Sequence, residues 1–418
     1  MLRRRSPLLQ ASKKLSPQLV VDSLKRRGTG AFFGCPDYHL RHLTAYLSDH
    51  TNTGEYVTAT NSGNAMAMAA GHYLSTLRTP CVLMQNGGLG DAMNPVLTLF
   101  NQDAYRLPCL MLISWRGKPE TSDEEAMPGL VAQGRMTEHC LTAVDIPFSI
   151  IGDSADIEMN WDVVMDKAYY HMSNEKTPFA ILVEPDTLEE YTPHRPDADP
   201  LPPAPLELDN VVDQVCRQFN ATDAFVCGCG SVQAALRRAR GQRAEAASAG
   251  ASQDFLLADS VGHTCGVAVG VAVSRPGQQV VCLEGDGAAL THLNGMATVG
   301  GLNALKDAKT GAGLLRNLKH IVVNDGVYAS AGGQSTAALD VSLTGVATAC
   351  GYFAVRDEPV VELGDLVSAL AELRQCDGPA FLEVVVNKSP TARPKAEARR
   401  DLLLEKQSFA DFMMRSRP

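Results

Sequence analysis

Short apolar runs recur along the chain, each closed by glycine, proline, asparagine or aspartate, and longer helix-forming stretches separate them. In the first half the runs are AFFGCP (31–36), EYVTATN (55–61), CVLMQNG (81–87), CLMLISW (109–115) and FAILVEP (179–185). Their length and their aromatic and β-branched content predict buried strands. Between them lie alanine- and methionine-rich stretches such as GNAMAMAAGHYLSTL (63–77), which read as helices. Strand, loop and helix in alternation predict an α/β fold whose mainly parallel sheet carries helices on both faces.

The alternation stops once. Six prolines fall between Pro193 and Pro205, a stiff, extended linker composition. It then restarts with DAFVCGCG (223–230), DFLLADSVG (254–262), QVVCLEGDG (279–287), LKHIVVNDG (318–326) and PAFLEVVVN (379–387). The expected organisation is a basic tail over 1–17, a first domain over 18–192, a linker over 193–207, a second domain over 208–395 and a helical tail over 396–418.

Composition narrows the possible partners. Net charge is −10 and the pI is near 5.5, which disfavours nucleic acid or an anionic membrane as the main partner. No run of 18 apolar residues occurs, so no membrane-spanning helix is expected. The eleven cysteines are scattered, mostly within apolar runs, as in a reducing compartment. Cys227 and Cys229 form a C-x-C without a second cysteine or histidine pair nearby, which favours two small residues at a strand end over a metal or redox pair. The first 15 residues hold three arginines, two lysines and no acid, so they are either a disordered basic tail or a mitochondrial transit peptide. The location expected is cytoplasmic, with a mitochondrial alternative.

Local chemistry concentrates at two strand ends. An apolar strand closes on Gly285-Asp286-Gly287 and a helix follows. A carboxylate there can hold Mg2+, and the helix N–H groups can hold phosphate oxygens. A second strand closes on Asn324-Asp325-Gly326, and its side chains can complete an oxygen-rich octahedron.

This pair of strand ends resembles the thiamine diphosphate fingerprint. The run NLKHIVVNDGVYASAGGQST (317–336), with FFGCPD, TNSGNAMAMAAGHYLST, MQNGGLGDAMNP, LISWRGKP and QGRMT in that order, resembles the phosphonopyruvate decarboxylase family over roughly residues 18–390. Sulfopyruvate decarboxylase is a close relative with the same layout. The resemblance implies thiamine diphosphate and Mg2+ as cofactors and a small anionic 2-oxoacid as substrate. It also implies a homo-oligomer with cofactor sites at subunit interfaces.

Site residues follow from the resemblance. Asp286, Asp325 and the Val327 carbonyl would bind the metal. Gly285, Gly287, Ala288 and Ala289 would line the diphosphate. Val261 would prop the bent cofactor, although a plain core residue is the other reading, and His263 would lie beside it. Asn61 opens the stretch that meets the aminopyrimidine, and Asp37 would face the thiazolium or cap its own loop. Arg116 and Arg135 are candidates for the substrate anion, with a plain surface arginine as the other reading of Arg116.

Several positions depart from the family. Ser62 stands where the family carries the glutamate that activates the cofactor, and a hydroxyl cannot replace a carboxyl as a proton carrier. Leu130 and Tyr328 stand where the family has histidines. Gly230 to Ala235 replaces a more basic and polar stretch, and Asp325 replaces an asparagine.

Overall fold

The first unit begins with α1 (Pro17–Arg26), β1 (Phe32–Gly34), α2 (Arg41–His50), β2 (Tyr56–Thr58), α3 (Ser62–Thr76) and β3 (Cys81–Gln85). It continues through α4 (Leu89–Pro95), β4 (Leu110–Ser114), α5 (Pro128–Ala143), β5 (Phe148–Ile151), α6 (Ile157–Glu175) and β6 (Phe179–Val183). In the computed structural model, residues 13–119, 128–194, 205–241, 252–306, 311–389 and 400–416 are described.

The six strands form one sheet in the order β2-β1-β3-β4-β6-β5, and every pairing is parallel. Successive side chains of a strand point to opposite faces. Cys81 and Leu83 therefore join a core with Leu24, Leu43 and Trp161, which come from α1, α2 and α6. Val82 and Met84 join a second core with Ala65, Met66, Ala92 and Leu141, which come from α3, α4 and α5. This is why the central strands read as unbroken apolar runs.

The second unit runs α7 (Leu208–Gln218), β7 (Ala224–Cys227), α8 (Ser231–Gly241), β8 (Asp254–Leu256), α9 (Thr264–Ser274), β9 (Val280–Gly285), α10 (Asp286–Thr291) and α11 (Asn294–Ala304). It ends with β10 (Leu318–Asn324), α12 (Leu343–Ala349), β11 (Phe353–Ala354), α13 (Leu363–Gln375), β12 (Ala380–Val385) and α14 (Leu402–Arg415). Its parallel sheet has the order β11-β12-β10-β9-β7-β8. β7 and β9 are neighbours, yet the chain passes through β8 at the sheet edge between them. Such a reversal opens a crevice at the carboxyl ends of the strands, where open α/β sheets bind ligands.

The tails differ from expectation. The basic tail placed over 1–17 is shorter at its described end: Leu15 is buried, its N–H bonds to Thr187 O at 2.9 Å, and α1 starts at Pro17. Residues 1–12 lie outside the described residues, as do 195–204 of the proline-rich stretch. The C-terminal tail is helical but packs closely. Phe412 and Met413 are buried in a core with Cys265 and Ala268, and Arg400 is buried against Leu256 O and Gln233 Oε1. No described helix is long and apolar enough to cross a membrane.

Candidate active site

In the second unit the parallel register sets Gly285 of β9 beside Val323 of β10, so Asp286 and Asp325 leave adjacent strand ends. Both are buried. Thr336 Oγ1 donates to Asp286 Oδ2 at 2.5 Å, and the carboxylate also accepts from the Gly287 and Asp325 backbone. Asp325 Oδ1 accepts from Val327 N at 3.2 Å. Burial first, and the Asp325 charge second, push the Asp286 carboxyl up to about 7. Burial likewise raises Asp325. A buried carboxylate whose charge is disfavoured by burial and by a second carboxylate gains from a hard divalent cation beside it.

A third oxygen, the Val327 carbonyl, follows Asp325 by two residues in the chain. The bridge between Val327 and Ser335 is closed by flanking bonds, Tyr328 N to Gln334 O and Thr336 N to Gly326 O. That pattern leaves the Val327 carbonyl outside the ladder. The oxygen donor set therefore fits Mg2+.

Next to the carboxylates, α10 begins at Asp286 itself, and its first-turn N–H groups, at Gly287 and Ala288, have no intrahelical carbonyl to bond. A Cβ on Gly287 would lie 2.7 Å from the Tyr328 ring, so a larger residue there requires that ring to shift. Tyr328 thus closes over the turn, in the place the resemblance gives to histidine. Val261 is 40% exposed, so it is not a core residue and its side chain is presented at the surface of this unit. His263 stacks on His292, with ring centroids 4.4 Å apart and planes at 27°.

The stretch 230–235 serves the fold. Gln233 is buried, donates to Leu257 O at 2.7 Å and accepts from Arg400. Cys227 is buried and its thiol faces its own strand end, so the C-x-C is not a paired site. None of the eleven cysteines is in a disulfide.

In the first unit, Asn61 caps α3 by accepting from Asn64 N at 2.8 Å. This places Ser62 at the first helical position, where it is 4% exposed. Its hydroxyl lies 3.6 Å from Cys35 Sγ, and a Cβ on Gly88 would fall 2.1 Å from it. Burial, the largest influence, pushes the Cys35 thiol up to about 12, and the Asp91 charge adds to this. The position of the missing glutamate is therefore a closed, polarisable contact. Glu55, the nearest acid upstream in sequence, is committed to Lys25 at 2.6 Å and to Asn52 N at 3.1 Å.

Asp37 is 1% exposed and caps its loop through bonds from His39 N and Leu40 N, both 3.0 Å. Its second oxygen, Oδ2, is buried with no hydrogen-bond partner among the described residues. Arg116 lies beyond the end of β4, where its Nη1 donates to Gln85 Oε1 at 2.9 Å. Arg135 lies exposed on α5. Leu130 is buried. The motifs that hold these arginines cross backbone to backbone: a Cβ on Gly134 would sit 1.7 Å from Gly117 O.

Four polar residues near these strand ends were not singled out from sequence: Thr336, His292, Glu284 and His320. Glu284 Oε1 and His320 Nε2 are 2.9 Å apart and fully buried, joining β9 to β10. Lone polar letters inside apolar runs were the available signal.

Comparison with known proteins identifies the family. Residues 17–139 match the family of thiamine pyrophosphate enzyme N-terminal TPP-binding domains, and residues 228–384 match the corresponding C-terminal TPP-binding domains. The chain thus belongs to the thiamine pyrophosphate enzymes. Within that class it is a homologue of phosphonopyruvate and sulfopyruvate decarboxylases. It is 29% identical to the phosphonopyruvate decarboxylase of Streptomyces viridochromogenes over 403 residues, 91% of this chain and 92% of that one. It is 24% identical to the sulfopyruvate decarboxylase of Methanosarcina acetivorans, over 90% of this chain and 92% of that one. To the sulfopyruvate decarboxylase subunit alpha of Methanothermobacter thermautotrophicus it is 30% identical, over 37% of this chain and 98% of the subunit.

Proposed function

We propose that the chain catalyses thiamine-diphosphate- and Mg2+-dependent decarboxylation of 3-phosphonopyruvate, releasing phosphonoacetaldehyde and CO2, as a homo-oligomer. The observation that carries the reading is the buried Asp286–Asp325 pair beside the first turn of α10. Asp286, Asp325 and the Val327 carbonyl would hold Mg2+, and the α10 N–H groups would hold the diphosphate. Thiamine diphosphate, when bound, supplies the electron sink for the pair left behind as CO2 departs. A proton must then be delivered to the former carbonyl carbon to complete the aldehyde. His263, exposed and stacked on His292, is the imidazole assigned to that delivery. Arg116 is assigned to the substrate's anionic end.

Ser62 favours a second reading, a diverged relative that keeps the fold and binds cofactor with little or no turnover. One experiment separates the two. Purified protein receives thiamine diphosphate, Mg2+ and phosphonopyruvate, with sulfopyruvate in a parallel arm, and CO2 and aldehyde are followed. Turnover of phosphonopyruvate supports the first reading, and turnover of sulfopyruvate alone moves the substrate assignment. Cofactor binding without turnover of either supports the second. Sedimentation as a monomer in the presence of cofactor would remove the oligomer from both.

A further inference from the structure

Glu383 sits in the interior strand β12, within AFLEVV, and is only 3% exposed. Burial raises its carboxyl above the ordinary range, although Asn324 and Thr344 oppose that rise. A well-packed apolar residue in such a place is often neutral or stabilising, so the carboxylate calls for an explanation beyond stability.

Its partners supply one. Asn324 Nδ2 donates to Glu383 Oε1 at 2.8 Å, and Thr344 donates to Oε2 through its backbone N at 3.3 Å and its hydroxyl at 3.0 Å. Asn324 is buried and immediately precedes Asp325. Its Oδ1 accepts from Gly326 N at 3.0 Å, and its Nδ2 also reaches Ala338 O at 3.3 Å. These bonds hold the turn at Gly326, which needs its φ of +68°, and the segment that returns past it. In that segment Thr336 N donates to Gly326 O at 2.9 Å, and Thr336 Oγ1 grips Asp286 Oδ2 at 2.5 Å. An unbroken series of buried groups therefore joins Glu383 to the turn of Asp325 and to the carboxylate of Asp286.

We infer that Glu383 is a positioning residue for the metal site: through Asn324 and residues 336–338 it fixes both aspartates in the geometry a divalent cation requires. The inference rests on the reading of Asp286 and Asp325 as Mg2+ ligands. Groups that orient metal ligands from behind commonly control affinity by ~10–100-fold. A purely structural role would lower the melting temperature and leave the folded protein's Mg2+ affinity alone.

The test is calorimetric titration of Mg2+ into the full chain with thiamine diphosphate present, alongside thermal melting without metal. Glu383→Leu is expected to weaken Mg2+ binding ~10–100-fold while the metal-free protein stays folded. Glu383→Gln is expected to recover part of the loss. Its amide oxygen can still accept from Asn324, and the Thr344 hydroxyl can turn to accept from the new amide N–H, while the Thr344 backbone N–H loses its acceptor. If Glu383→Leu does not fold, Thr344→Val carries the test, with an expected weakening of ~3–10-fold for one lost hydrogen bond. A folded Glu383→Leu, or in its absence Thr344→Val, that binds Mg2+ like the wild type overturns the inference alone. A wild type that shows no Mg2+-dependent binding of thiamine diphosphate overturns the metal-site reading and this inference with it.

Discussion

Ser62→Glu probes the largest departure in the site. A carboxyl at the start of α3 would restore a group able to exchange a proton with a bound aminopyrimidine, a contribution of ~10²–10⁴-fold in rate for general acid–base catalysis. Against this stands the space. Ser62 is 4% exposed, its hydroxyl lies 3.6 Å from Cys35 Sγ, and Gly88 backs it so closely that a Cβ there would fall 2.1 Å away. A glutamate adds a methylene and a carboxylate to that contact, and overpacking of this kind costs ~1–3 kcal/mol. Cys35→Gly beside Ser62→Glu removes the thiol and makes room. Single-turnover CO2 release at saturating cofactor, with melting temperature measured in parallel, is the assay. The expected outcome is a rate gain of at least ~10²-fold for Ser62→Glu, larger in the double variant, at some loss of stability. A folded, cofactor-saturated double variant no faster than the wild type would refute the reasoning, because the carboxyl would then not be what the site lacks.

Three further outcomes are expected. His320→Leu leaves Glu284 buried without its partner and should cost ~3–5 kcal/mol in urea unfolding, with most recovered in the Glu284→Leu, His320→Leu pair; a double variant as unstable as the single would refute this. His42, His72 and His171 are each held below the ordinary imidazole value of 6.5, first of all by burial. At these three positions the unfolded chain takes up protons before the folded one does, so each withdraws stability as pH drops below about 6.5, while the raised carboxyls of Asp286, Asp325 and Glu383 act in the opposite sense; His72→Gln should therefore lose less stability than the wild type over that drop. Gly134→Ala should destabilise strongly, since its Cβ would meet the Gly117 carbonyl at 1.7 Å; an unchanged melting temperature would mean the two segments can separate at little cost.

The fold was largely legible because the interior strands are apolar on both faces, as parallel strands covered by two helix layers must be. Two strands escaped. β5 lies at the sheet edge with Ile150 41% exposed, and β11 is two residues long with Phe353 49% exposed, so neither carries a continuous apolar run. The strand-end carboxylates Asp286 and Asp325 stood out because glycine turns flank them. Their supports did not: Thr336, Glu383 and the Glu284–His320 pair act on residues tens of positions away, and only the sheet register brings them together. Leu15 was hidden by the basic residues before it, although its burial against the β6 side of the unit makes it part of the first core.

The packing of residues 400–416 has a consequence for the order in which the two units can form. Among the described residues, the backbone bonds of the first unit run as far as Glu189 N, which donates to Leu15 O at 2.9 Å, so that unit can mature while the rest of the chain is still being translated. The second cannot. Gln233 Oε1 and Leu256 O take donors from Arg400, and Phe255, beside Leu256, meets the Phe409 ring at 5.5 Å. Until the ribosome has delivered that last stretch, the β8 edge of the second sheet is an open flank. The half carrying Asp286 and Asp325 is thus the half that a translation stalled before residue 400 would leave unfinished.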